Sequence, residues 1–138
     1  MQSNNLKRFL VPLFLLIITL VTRFCFLNWG GGYFFNPDEN NMANSVFQMN
    51  FFNLNPNFFA YGQFPLFLTF FTSPRHNFIS IILTLRFWSA LFSCFSIYFF
   101  YLIAQIIFKS KKTRYLFVLL LIFTTGLIQV SHFRTLES

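Results

Sequence analysis

The stretch RFWSALFSCFSIYFFYLIAQIIFK, from Arg86 to Lys109, decides the fold class. Nothing between its two basic ends carries a charge. The run from Phe87 to Phe108 supplies the ~20 residues that a helix needs to cross the hydrocarbon core of a bilayer. Two further stretches have the same character. One runs from Phe9 to about Leu27 and is broken only by Arg23; the other runs from Tyr115 to about Phe133, between Arg114 and Arg134. A cleaved signal peptide is a poor reading of the first, because its apolar part is too long and no small-residue cleavage site follows. Pro12 falls in its first turns, where proline is tolerated.

Composition agrees with a membrane protein. Of 138 residues, 56% are apolar and 9% charged, and 25 are Phe. Ordinary soluble domains have roughly 45–50% apolar and about 25% charged residues. Ten basic and three acidic side chains cannot cover the surface of a soluble domain this size. A soluble enzyme, a disordered tail and a disulfide-stapled secreted domain are all excluded. The net charge of +7 does not point to nucleic acid, because the basic residues gather at the ends of the apolar stretches. Cys25 and Cys94 both lie in apolar runs and read as buried thiols.

The predicted fold is therefore an all-α polytopic membrane protein, a single membrane domain over 1–138. Its three transmembrane helices lie at about 9–27, 87–108 and 115–133. The positive-inside rule orients them. Lys7 and Arg8 precede the first span, and Lys109, Lys111, Lys112 and Arg114 separate the second from the third. Three crossings put both clusters in the cytoplasm. A fourth apolar run, Phe58–Phe71, contains Gly62, Gln63 and Pro65; it is expected to be re-entrant or interfacial, because a fourth crossing would carry the Lys109–Arg114 cluster outside.

Residues 28–84 then form a long outer loop carrying interfacial helices. Asn28-Trp29-Gly30-Gly31-Gly32-Tyr33 reads as a flexible exit with interfacial aromatics. Asn36-Pro37-Asp38-Glu39 is a helix start: Asn36 can cap, Pro37 suits the first turn, and the acids favour the positive end of the helix dipole. Met42, Val46 and Met49 then share one face, which predicts a short amphipathic helix lying on the membrane surface. Asn53-Leu54-Asn55-Pro56-Asn57 is a turn cluster. His76, beside Arg75, reads as a solvated interfacial residue.

The acids are the informative residues. Only Asp38, Glu39 and Glu137 exist, and all three fall on the expected outer side. Cap chemistry and a solvated end are one account of them. The other is a carboxylate cluster built from two distant segments, with Asp38 and Glu39 as catalytic candidates and Asp38 with Glu137 as ligands for a hard divalent cation, Mg²⁺ or Mn²⁺. Arg23, Arg86 and Arg134 share that side, with His132 beside Arg134. Such arginines either snorkel to headgroups or bind a phosphate, and Arg86, His132 and Arg134 are the candidates for a donor phosphate.

At these residues the chain resembles the beginning of a GT-C-fold glycosyltransferase, of the class that holds protein O-mannosyltransferases and the lipid A aminoarabinose transferase. Four segments carry the resemblance in order: Pro37-Asp38-Glu39; Tyr61-Gly62-Gln63-Phe64-Pro65-Leu66; Leu85-Arg86-Phe87-Trp88-Ser89-Ala90-Leu91, in which the arginine opens the second span; and Ser131-His132-Phe133-Arg134-Thr135-Leu136-Glu137. The resemblance implies that Asp38 is the base or acceptor-binding carboxylate and that Glu137 contributes to metal or donor-phosphate binding. It also implies a sugar donor on a polyprenyl phosphate, presented among the membrane lipids of the outer leaflet. The expected location is a bacterial plasma membrane with the active face outside. Many relatives have His or Lys where Gln63 stands, and such enzymes have many more spans than three, so the chain reads as an N-terminal fragment. A small accessory membrane protein and a transporter fragment are the rival classes. The span centres hold Thr19, Ser96 and Thr124-Thr125 but no charge, which weakens the transporter reading.

Overall fold

The computed structural model describes residues 2–30, 36–60 and 62–132. Six helices follow in order: α1 (Gln2–Phe24), α2 (Pro37–Gln48), α3 (Phe64–Thr72), α4 (Phe78–Ile107), α5 (Lys111–Ile122) and α6 (Thr125–His132). Helix α4 is the axis of the fold, and each of the other five packs against it.

Helix α4 is 30 residues long and is the one helix among the described residues long and apolar enough to cross a membrane. It starts nine residues before the expected span. Asn77 explains the early start: its side-chain oxygen accepts the Ser80 backbone N–H at 2.8 Å, and no breaker separates Phe78 from Arg86. Arg86 therefore lies two turns inside the helix and does not open it. The rise from Arg86 to Ile107 is about 32 Å, close to a hydrocarbon thickness, and the turns before Arg86 extend the helix by about 12 Å.

That extension carries a small core of its own. Met42, Ala43 and Val46 of α2, Leu66 of α3, and Ile81, Ile82 and Leu85 of α4 are all buried together. The helix start at Asn36 is as expected: its side-chain oxygen accepts the Asp38 N–H at 2.9 Å, and Pro37 opens α2. The apolar face of α2 is also as expected in composition but not in location. Met42, Val46 and Met49 are each at most 1% exposed, packed within the protein where a lipid surface was expected. Loss of the cap should be felt in this unit. Asn36→Ala is expected to lower stability by about 1 kcal/mol, and Asn36→Asp to leave it nearly unchanged, in denaturant unfolding of the detergent-solubilised chain.

The connection from α2 to α3 is a ladder of asparagine turns. Asn50 Oδ1 accepts the N–H groups of Phe52 and Asn53, Asn53 Oδ1 that of Asn55, and Asn55 Oδ1 that of Asn57. Helix α3 has nine residues, with Pro65 in its first turn. At about 1.5 Å per residue it is less than half the length of a span, so the Phe58–Phe71 run does not form a crossing helix. His76 is more engaged than expected: its Nε2 lies 2.9 Å from the Phe47 carbonyl, and its ring stacks on Phe47 at 5.5 Å.

The other half of α4 packs on α1 and α5. Leu15, Ile97, Val118 and Ile122 form this second core. The expected span 115–133 is broken: α5 ends at Ile122 and α6 begins at Thr125. Thr124, Thr125 and Gly126 are weak helix formers. Arg23 supplies the other half of the explanation. It is fully buried, donating from Nη2 to the Ile122 carbonyl at 3.1 Å and from Nε to Ser93 Oγ at 2.9 Å. A carbonyl freed by the break is thus satisfied inside the protein, the condition under which apolar surroundings tolerate irregular backbone. Both cysteines are free thiols, and Cys25 is exposed where a buried one was expected.

Candidate functional site

The site forms where the turn after α1, the first turn of α2, the third turn of α4 and the end of α6 meet. Its centre is Arg86. Nε donates to Glu39 Oε1 at 2.6 Å and Nη2 to Glu39 Oε2 at 2.8 Å, a bidentate pair with side chains 3% and 0% exposed. Nη1 donates to the carbonyls of Leu27 at 2.8 Å and Trp29 at 3.0 Å. The guanidinium also lies 5.1 Å from the centre of the Trp29 ring. A planar five-donor group suits this arrangement, because one face of the fork matches a carboxylate while the remaining N–H groups bind backbone.

The turn after α1 is shaped to present these carbonyls. Phe26 has φ 63°, a left-handed conformation uncommon for a residue with a side chain. Gly30 closes the turn at φ 91°, which glycine adopts without strain. Between them the Leu27 and Trp29 carbonyls face Arg86, and just before them the Cys25 carbonyl faces His132. His132 Nε2 lies 2.8 Å from the Cys25 carbonyl, and Nδ1 lies 2.9 Å from the Ile128 carbonyl. The Trp29 indole N–H returns a bond to the His132 carbonyl at 3.2 Å. Trp29 therefore joins the arginine and histidine halves of the site.

Three of the expected site residues thus have partners within the protein. Arg86, expected at a donor phosphate, spends four N–H donations on Glu39 and two carbonyls, so a phosphate would have to displace a buried carboxylate. His132, expected there too, has both ring nitrogens directed at backbone carbonyls. Glu39, expected as a catalytic candidate, is paired with Arg86 through both carboxylate oxygens. Asp38, its neighbour, is half-buried on the same first turn, about 100° around the helix from Glu39. Arg134 and Glu137 lie outside the described residues.

The donor set for a cation is correspondingly narrow. Among the described residues no three His, Cys, Asp or Glu side chains stand together. Of the two acids there, Glu39 is paired with Arg86. The described residues alone do not bring together three such side chains for Mg²⁺ or Mn²⁺. Sequence reasoning missed the pairing of Glu39 with Arg86 and the carbonyl clasp of residues 25–29. The first had a signal, a lone arginine in an apolar helix facing a chain with three acids; the second had none, because backbone acceptors carry no residue signature. No protein-family model, curated protein or solved structure matches the chain.

Proposed function

We propose that the chain is the N-terminal membrane part of a polyprenyl-phosphate-dependent glycosyltransferase, with Asp38 as the carboxylate that accepts the acceptor's proton at the outer membrane face. The observation that carries the reading is the buried Glu39–Arg86 pair. It ties the first turn of α2 to α4 and the exit of α1, and so fixes the helix turn that carries Asp38. In the step itself, the acceptor hydroxyl gives its proton to Asp38 while its oxygen bonds to the sugar's anomeric carbon. The anomeric C–O bond breaks with its electron pair leaving on the lipid phosphate. The sugar and the acceptor are those of the resembled class. The phosphate-binding group falls to Arg134, and a divalent cation would use Asp38 with Glu137.

The topology that serves this reading has three crossings: α1, α4, and α5 with α6 in series. The basic turn between α4 and α5 faces the cytoplasm, and α2 and α3 lie outside. Membranes holding the whole gene product should move radiolabel from polyprenyl-phosphate mannose or aminoarabinose into an acceptor fraction that organic solvent does not extract. Topology has its own test in a Cys25→Ser, Cys94→Ala background. An impermeant thiol reagent applied outside should label Asn41→Cys and spare Lys112→Cys, both positions being exposed. The reverse pattern would overturn the orientation, and labelling of both in sealed cells the crossings.

A structural membrane module is the second reading, and one observation favours it. The Arg86 donations all end on protein acceptors, as they would in a pair that serves packing alone. Absence of transfer by the whole gene product, with α1 to α6 intact, would favour this second reading.

A further inference from the structure

We propose that the groove between α1, α4 and α5, with the basic turn at its mouth, binds an anionic phospholipid from the leaflet on the Lys109–Arg114 side. The inference rests on the membrane placement above and is independent of the transferase reading.

Two adjoining cavities make the site. The larger, about 340 Å³, lies among Leu13 and Leu16 of α1, Ile97 and Tyr98 of α4, and Val118 of α5. The smaller, about 200 Å³, is bounded by Gln105, Lys111, Arg114 and Tyr115. Pro12 and Tyr101 line both, so an apolar trough runs directly into a polar, basic mouth. The larger cavity alone falls within the ~300–1,000 Å³ typical of small-molecule sites.

The charge at the mouth selects the occupant. Arg114 is half-buried and fixed across the end of α4, donating from Nε to the Phe108 carbonyl at 2.6 Å and from Nη2 to the Lys109 carbonyl at 3.1 Å. Lys111 is exposed beside it, and Lys109 and Lys112 lie on the same turn. The acids among the described residues, Asp38 and Glu39, sit at the opposite end of the fold. A tail in the trough and a phosphate at Lys111 and Arg114 match both the shape and the sign of the site. A free phosphate would leave the trough unfilled, and a zwitterionic lipid would bring no net charge to the mouth. Juxtamembrane basic residues favour anionic lipid by an amount equivalent to about fivefold per residue.

Thermal unfolding of the purified full chain in a neutral detergent reads the binding, because a ligand of the folded state raises the midpoint by an amount that grows with the logarithm of its concentration relative to Kd. Three probes are titrated: dimyristoyl phosphatidylglycerol, dimyristoyl phosphatidylcholine and glycerol phosphate. Phosphatidylglycerol should bind at least about tenfold tighter than phosphatidylcholine, as expected for two basic groups at the mouth, and glycerol phosphate should not shift the midpoint. Lys111→Gln should cut the anionic preference about fivefold with phosphatidylcholine unchanged. Leu16→Trp, which fills the trough, should weaken both lipids. Lys111 and Leu16 are exposed, so these variants keep the fold, whereas Arg114→Gln would also unlatch the α4–α5 turn. Equal affinity for the two lipids, a shift with glycerol phosphate matching that with phosphatidylglycerol, or an anionic preference untouched by Lys111→Gln would each overturn the proposal.

Discussion

Glu39→Ala should destabilise the fold by about 3–5 kcal/mol, a large fraction of the stability of a chain this size. The loss is not the value of the ion pair as such. Taking two charges out of water is expensive, and the bidentate contact at 2.6 Å and 2.8 Å offsets that expense. Removing Glu39 leaves Arg86, 2% exposed, with its charge uncompensated inside the protein. Two carbonyl acceptors and the Trp29 ring remain, but none carries a formal charge. Glu39→Gln keeps one oxygen acceptor and should fall between wild type and alanine. The double variant Glu39→Met, Arg86→Met should recover most of the loss, because well-packed apolar side chains can replace a buried pair at little net change. Denaturant unfolding in mild detergent measures all three, and Trp29 fluorescence reports the site directly because its ring lies over the guanidinium. A single-variant loss below about 1 kcal/mol would mean that water reaches Arg86 and that the pair is not the clasp described.

Local chemistry was legible in the sequence and tertiary partnership mostly was not. Asn36-Pro37-Asp38-Glu39 specifies a helix start through contacts within four residues, and α2 begins there. Gly62 and Pro65 shorten α3 for equally local reasons. The face of Met42, Val46 and Met49 was visible as apolar, but the periodicity of a helix is the same whether lipid or protein covers it. Helix α4 starts before the expected span because a charge with a partner does not end an apolar helix. Arg86 is carried inside the helix by a partner on α2, and Arg23 is carried inside the fold by Ser93 and a backbone carbonyl. The break after Ile122 has the same origin, a weak helix-forming run combined with a distant donor. At the candidate site, the identity of the important residues was readable from scarcity: three acids in a chain so poor in charge must each meet a cation or water. Their division of labour was not readable, since Asp38 and Glu39 are neighbours in sequence and only the packing of α2 on α4 turns Glu39 inward.

That division predicts opposite behaviour from the two acids. Asp38→Asn should lower sugar transfer by the whole gene product about 10²–10⁴-fold, the range for loss of a general base. Folding should change little. Asn keeps the size of the side chain, the backbone N–H of residue 38 still meets Asn36, and the lost dipole interaction of a first-turn acid is worth about 0.3–1 kcal/mol. Asp38→Glu keeps the carboxylate but moves it by one methylene, so it should regain part of the rate at nearly unchanged stability. Glu39→Gln should show the converse pattern, with a marked loss of stability, and activity falling in step with the folded fraction. The assay follows radiolabel from polyprenyl-phosphate mannose or aminoarabinose alongside the unfolding midpoint of each variant. Proportional changes in rate and stability at both positions would reduce Asp38 to a helix-start residue. A rate loss in Asp38→Asn with stability intact, partly recovered in Asp38→Glu, is the pattern expected of a carboxylate that meets the reacting hydroxyl, whereas a residue that only holds the turn in place is replaced by Asn with little loss of rate.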